Sequence, residues 1–252
     1  MSSARSRVVL DAHCHLHEYS EESIENDIAS LGIYVLAVSD DYKSSLRTLD
    51  LSRRFPWVIP AVGLHPWNVG DSSLQEARNI IDVIEARDVM VLGEIGLDKK
   101  FRYETFDKQI EILKMFLSIA RDRNLVVNIH AAGAWREALE LLYRYDISLA
   151  IIHWYTGPIE LLKEIADRGY RITINPAISI QEKHREIVRA APLEVMLLES
   201  DAPYRYRGID MHPKMVLELY RVIASIKSID IDSVIDVISR TSEEFLRKVK
   251  RF

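Results

Sequence analysis

The sequence predicts an α/β fold, a TIM-like (β/α)8 barrel with an additional C-terminal helix. Three observations carry this. Eight short apolar runs rich in β-branched residues recur along the 252 residues. They lack polar alternation, as expected of parallel strands covered on both faces. Helical stretches with three-and-four apolar spacing lie between them. With 48% hydrophobic residues and no Pro/Gly/Ser-rich linker, residues 1–252 are expected to form a single domain.

The runs occupy residues 8–10, 33–38, 57–64, 89–95, 125–130, 148–153, 170–175 and 194–200. Before the fifth, Phe106, Ile110, Leu113, Phe116, Leu117 and Ala120 mark one face of a helix. After the eighth, Val216, Leu219, Tyr220 and Ile223 mark another, and residues 231–252 read as the extra helix. Its basic end, RKVKRF, complements the helix dipole. A doubly wound open sheet is the rival arrangement, but no Gly-rich phosphate loop follows any strand.

The net charge of −5 argues against a broad polyanion-binding face. The single cysteine, Cys14, rules out an intrachain disulfide and suits a reducing compartment. No apolar run approaches the roughly 20 residues that span a bilayer, and the opening MSSARSR precedes too short an apolar stretch for a secretory signal. The expectation is a cytoplasmic protein without membrane contact, a monomer or weak oligomer.

Barrel enzymes place their chemistry at the carboxyl ends of the strands. There the sequence sets Asp11, His13 and His15, then His65, Glu94, His130, His153, Asn175 and Asp201. In DAHCHLHEY the every-second-residue spacing puts Asp11, His13 and His15 in a row on one strand face and turns Cys14 to the other. His17 stands outside the pattern and reads as a solvated loop histidine, and Asp11 as an anchor of the strand. The set supplies four imidazole nitrogens, a bridging carboxylate and a terminal carboxylate, enough for two divalent cations such as Zn²⁺, Mn²⁺ or Mg²⁺. Two such ions roughly 3.5–4 Å apart can activate water for hydrolysis, leaving Asp201 to accept a proton.

The motifs DAHCHLH (11–17), GLHPW (63–67), GEIGLD (93–98), IH (129–130), HWYTG (153–157) and ESDAPY (199–204) resemble the TatD-type deoxyribonuclease family, within the amidohydrolase-like superfamily. The resemblance runs in order along nearly the whole chain. It implies that His13, His15 and Asp201 bind one metal, that His130 and His153 bind the second, that Glu94 bridges them, and that His65 positions a phosphate. A bridging glutamate resembles this branch rather than relatives that bridge with a carbamylated lysine; Lys99 and Lys100 lie beyond the strand end. The chain departs from the family around the substrate. It reads HAAGAWREA after His130, Trp154-Tyr155 after His153, and Met211-His212-Pro213 after Arg207-Gly208.

The loops after the fourth, fifth and eighth strands bring Lys99, Lys100, Arg102, Arg136, Arg205 and Arg207 to one rim, where Trp67, Trp135, Trp154, Tyr155 and Tyr204 also fall. Aromatic faces beside cations suit single-stranded DNA or another phosphodiester. The expected activity is metal-dependent hydrolysis of DNA, with Asp201, Glu94 and His65 catalytic and Trp154, Tyr155, Arg136, Arg205, Arg207 and His65 on the substrate. A hydrolase of a small ester, amide, lactone or phosphate is the alternative, and a non-catalytic ligand-binding barrel a more distant one.

Overall fold

In the computed structural model, residues 7–249 are described. The start of MSSARSR and the end of RKVKRF lie outside them. Eight parallel strands pair in sequence order, β1 (Leu10–Cys14), β2 (Tyr34–Ala37), β3 (Val58–Val62), β4 (Val91–Gly96), β5 (Val126–His130), β6 (Ala150–Ile152), β7 (Arg171–Ile174) and β8 (Met196–Leu198). The eight runs of the sequence are all strands, mostly trimmed by a residue or two at the ends. The first is the exception. Strand β1 begins where the expected run ends and takes in the first half of the histidine motif, Asp11 to Cys14, with His15 and His17 in the turn beyond it.

Helices follow the strands. A single turn, α1 (Glu21–Ser23), opens an irregular helical segment up to Leu31. Then come α2 (Tyr42–Arg54), α3 (Ser73–Ala86), α4 (Phe106–Arg123), α5 (Trp135–Arg144), α6 (Leu161–Asp167), α7 (Glu182–Ala190), α8 (Val216–Lys227) and α9 (Ile231–Val249). Helix α2 starts at a capping box, in which Asp41 accepts from the Ser44 N–H and Ser44 Oγ accepts from the Asp41 N–H. No helix among the described residues is long and apolar enough to cross a membrane.

Leu10, Ala12, Leu36, Val38, Ile59, Ala61, Val91, Val126, Ile151 and Leu197 fill the barrel interior, joined by Phe245, Leu246 and Val249 of α9. The extra helix therefore belongs to the barrel core rather than decorating it. A larger cluster packs the outer strand faces against the helices.

The strict alternation expected of Asp11, His13 and His15 is broken. The β1–β2 register shifts between Asp11 and Cys14. Ala12 enters the interior, and Asp11 accepts a hydrogen bond from the Ser200 N–H at 2.8 Å. Burial pushes its carboxyl up to about 8 despite the hydrogen bonds from Ser200 and His13. Asp11 thus ties β1 to the segment after β8. Cys14 does turn away, packing against Leu16 and Ile24.

Candidate metal centre

Two glycines let the centre assemble. A Cβ on Gly96, which has φ 152°, would lie 2.0 Å from the His130 carbonyl oxygen, and one on Gly93 would lie 2.7 Å from Asn128 Cβ. Only glycine lets β4 pass this close to β5 and bring Glu94 against His130. Asp201 adopts the left-handed conformation (φ 54°), held where its N–H donates to the His13 carbonyl at 2.9 Å.

The carboxylate of Glu94 sits fully buried among imidazoles. On one side, Glu94 Oε2 is 3.2 Å from His13 Nε2 and 3.6 Å from His15 Nε2. Asp201 Oδ1 is 3.4 and 3.5 Å from the same two nitrogens, which lie 3.3 Å apart. On the other side, Glu94 Oε1 is 2.8 Å from His130 Nδ1 and 3.0 Å from His153 Nε2, themselves 3.3 Å apart. A tetrahedral ion with bonds of 2.0–2.1 Å needs donors about 3.3–3.4 Å from one another. The donor chemistry and spacing therefore fit a divalent cation on either side of Glu94.

Hydrogen bonds behind the rings fix where the lone pairs point. Asn128 gives its Nδ2–H to the Ala12 carbonyl (3.1 Å), so its Oδ1 accepts from His13 Nδ1 at 2.9 Å and leaves the His13 Nε2 lone pair inward. Asp98 Oδ2 lies 3.0 Å from His130 Nε2, so that nitrogen donates and Nδ1 faces Glu94. Asp98 also accepts from Trp67 Nε1 at 2.6 Å and, on its other oxygen, from the Lys100 and Phe101 N–H groups. Burial opposes its charge, but these donors hold the carboxyl down at about 2. Glu199 stands 3.7 Å behind His153 Nδ1, and Asp40 stands 3.0 Å behind His15 Nδ1.

His65 differs in kind. Its Nδ1 accepts from the Trp67 N–H at 3.1 Å, so the ring proton is on Nε2, 3.2 Å from Glu94 Oε1. Burial lowers its pKa against the pull of Glu94. A neutral His65 thus offers this centre a hydrogen rather than a lone pair.

The electrostatics run one way. Burial works against charge throughout, yet His65, His153 and His13 hold Glu94 well below the carboxylate range. Asp40 and Asp201 raise His15 well above its ordinary value, and Glu94 and Glu199 do the same for His153. A buried field that draws protons onto these nitrogens is equally a field that draws cations.

A cavity of about 720 Å³ opens over the centre. Of the substrate residues expected from the sequence, Trp154, Arg205 and His65 line it. Three do not. Tyr155 is fully buried, its hydroxyl donating to the Pro158 carbonyl, because Trp154 (φ 41°) turns the chain and sends the next side chain into the helix layer. Arg136 points off the rim to Glu164 at 3.0 Å. Arg207, in the turn between β9 (Arg205–Tyr206) and β10 (Ile209–Asp210), covers the Tyr206 ring instead. The wall carries Lys100, expected on the rim from the sequence, together with Lys183, Phe101 and Tyr206. His17 is not a solvated loop residue either. Its ring is only 10% exposed, with Nε2 3.1 Å from Asp40 Oδ2, because the turn after β1 folds it back onto the end of β2.

Asp40, Asp98, Asn128 and Glu199 were missed from the sequence. Asn128 lies two residues before His130 on a strand, a same-face spacing, and Asp98 and Glu199 lie inside the quoted motifs.

The sequence profile of TatD related DNases matches residues 10–247. The chain belongs to the TatD family. An uncharacterized metal-dependent hydrolase of Methanocaldococcus jannaschii is 29% identical over 248 residues, spanning 95% of this chain and 97% of that protein. The YcfH metal-dependent hydrolase of Escherichia coli K12 is 26% identical over 255 residues, covering 95% and 94%. In fold, the crystal structure of a TatD homologue from Escherichia coli K12 superposes with a TM-score of 0.82 at 22% identity, over 93% of this chain and 96% of that one. This TatD-family barrel carries side-chain clusters able to hold metal ions.

Proposed function

We propose that the protein is a binuclear metal-dependent hydrolase of DNA phosphodiester bonds. The observation that carries this reading is the shared Glu94 carboxylate, with one oxygen toward His13 and His15 and the other toward His130 and His153. His13, His15, Asp201 and Glu94 would hold one divalent cation, Zn²⁺, Mn²⁺ or Mg²⁺, and His130, His153 and Glu94 the second. When bound, the pair supplies Lewis-acid activation of water and charge stabilisation at the phosphoryl group.

The chain's own residues do the rest. Asp201, at the floor of the cavity, takes the proton of the attacking water. His65 donates its Nε2–H to a non-bridging phosphate oxygen and so orients the ester. Trp154 lies edge-on to Tyr206 (centroids 5.0 Å) and near Tyr204 (6.0 Å), which supports a base stacked against that wall. Lys100, Lys183 and Arg205 meet the phosphate backbone. The single buried Cys14 suits a reducing cytoplasm. The family's description as DNases supports a nucleic-acid substrate.

A small phosphate, ester or lactone is the second reading, favoured by the cavity's volume, which lies in the range of small-molecule sites. Incubation with end-labelled single-stranded DNA and a panel of small esters and phosphates, each with Mn²⁺ or Zn²⁺, separates them. The nuclease reading expects DNA shortening that falls steeply with salt. Turnover confined to the small substrates, and unaffected by added DNA, would replace it.

A further inference from the structure

Beside the centre stands another group of metal-type donors, which shares only His15 with the two sides of Glu94. The turn Leu16–Glu18 carries His17 and Glu18, and Asp40 follows β2. Donor atoms of His15, His17, Glu18 and Asp40 all lie within 4.8 Å of one another. Proximity alone would mean little for polar groups at a rim. The hydrogen bonding of His17 is what gives the cluster meaning.

His17 Nδ1 lies 3.1 Å from the Val38 carbonyl oxygen. A carbonyl only accepts, so Nδ1 carries a proton, and in the neutral ring Nε2 presents a lone pair. That lone pair faces Asp40 Oδ2 at 3.1 Å, with the ring nine-tenths buried. Two acceptors held this close repel unless a positive charge stands between them. The other oxygen, Asp40 Oδ1, is buried 3.0 Å from His15 Nδ1 yet takes no aligned hydrogen bond. Each oxygen of the carboxylate thus has an imidazole nitrogen about 3 Å away, a spacing that a shared cation can fill.

We propose that His17 Nε2, Asp40 and Glu18 form a third divalent-cation seat on the cavity wall. One imidazole and two carboxylates suit Mn²⁺ or Zn²⁺. The 3.1 Å separation is close to the edge of about 3.0–3.3 Å expected between ligands of such an ion. Glu18 and Asp40 both line the cavity, so an ion there has an open side toward whatever the cavity holds. Its consequence rests on the phosphodiester reading. The cation turns an acidic stretch of the wall into one that attracts a phosphate oxygen, adding to the Lys183 and Arg205 of the same lining. The seat itself does not depend on that reading.

The test counts ions. Chelator-stripped protein is titrated with Mn²⁺, and the free ion is followed by electron paramagnetic resonance for the wild type, Glu18→Gln and His17→Gln. Glu18 is exposed, so Glu18→Gln leaves the fold intact. The wild type is expected to bind about three equivalents and each variant about two, a loss of roughly one third of the bound Mn²⁺ with the tighter equivalents unchanged. Equal binding by all three proteins would overturn the seat, as would loss of the tighter equivalents along with the weaker one. In ¹⁵N-histidine spectra, saturation with Zn²⁺ is expected to leave the His17 Nε2 without a proton. A persistent Nε2–H there would mean that a proton, not a metal, fills the gap. Either negative result leaves DNA cleavage to be judged separately, since these readouts contain no substrate.

Discussion

Replacing Asp98 by asparagine is expected to weaken metal binding although Asp98 touches no metal site. Asp98 Oδ2 accepts from both His130 Nε2 (3.0 Å) and Trp67 Nε1 (2.6 Å), while Oδ1 accepts from the N–H groups of Lys100 and Phe101. Asparagine keeps one acceptor, and the two backbone donors hold it in place. Its amide –NH₂ then faces two more donors. His130 escapes the clash by moving its proton from Nε2 to Nδ1, the atom 2.8 Å from Glu94 Oε1 that would otherwise offer a lone pair. The proton occupies the ligand position. Lost orienting partners of this kind cost about 10–100-fold in metal affinity, or about 1.4–2.7 kcal/mol. The half-buried indole N–H left without its acceptor adds about 0.5–1.5 kcal/mol of instability. Competition against a chelator of known affinity reads the first quantity, and urea denaturation of the metal-free protein reads the second. Metal affinity within twofold of wild type, in a folded variant, would refute the tautomer argument.

Other outcomes follow from the same geometry. Glu94→Ala is expected to lose most of the bound metal, read by elemental analysis, because one carboxylate serves both sides. Asp201→Asn is expected to lower kcat by about 10²–10⁴-fold while keeping more of its metal than Glu94→Ala does. Trp154→Ala removes one stacking face and should weaken single-stranded DNA binding by about 1–3 kcal/mol, whereas Arg136→Ala, whose partner is Glu164, should leave it nearly unchanged in fluorescence titrations. His184 is fully buried, and burial lowers its pKa from 6.5 to about 4, only partly offset by Glu199 and Thr173. The unfolded chain binds this proton first, so the metal-free protein should lose up to about 3 kcal/mol as pH falls from about 6.5 to about 4. In denaturation curves, that loss should be smaller for His184→Leu.

Much of this centre could be read from the chain because it obeys two periodicities. The β-branched runs mark the strands, and the barrel rule puts His65, Glu94, His130, His153 and Asp201 at their ends. What escaped is what depends on contacts across the barrel. Asn128 orients His13 from 115 positions away, and no local pattern announces that meeting. Asp40 sits after β2, the one strand end to which the sequence assigned nothing, and its role is visible only once the turn after β1 brings His17 against it. The rim failed for a different reason. Order along the chain puts Arg136 and Tyr155 in the right loops, but the helical phase of α5 and the left-handed Trp154 decide where they point. A strand has two faces and a period of two; a loop has neither.

The central claim is that the centre around Glu94 hydrolyses phosphodiester bonds with the help of bound metal. It is tested most directly by following end-labelled single-stranded DNA at low salt with chelator-stripped protein, before and after Mn²⁺ is restored, beside an equally folded Asp201→Asn sample. The account predicts shortening of the DNA that requires the restored metal and falls at least 100-fold in the variant. Cleavage that is indifferent to metal or equal in the two proteins would contradict it, and so would intact DNA with every divalent ion tried.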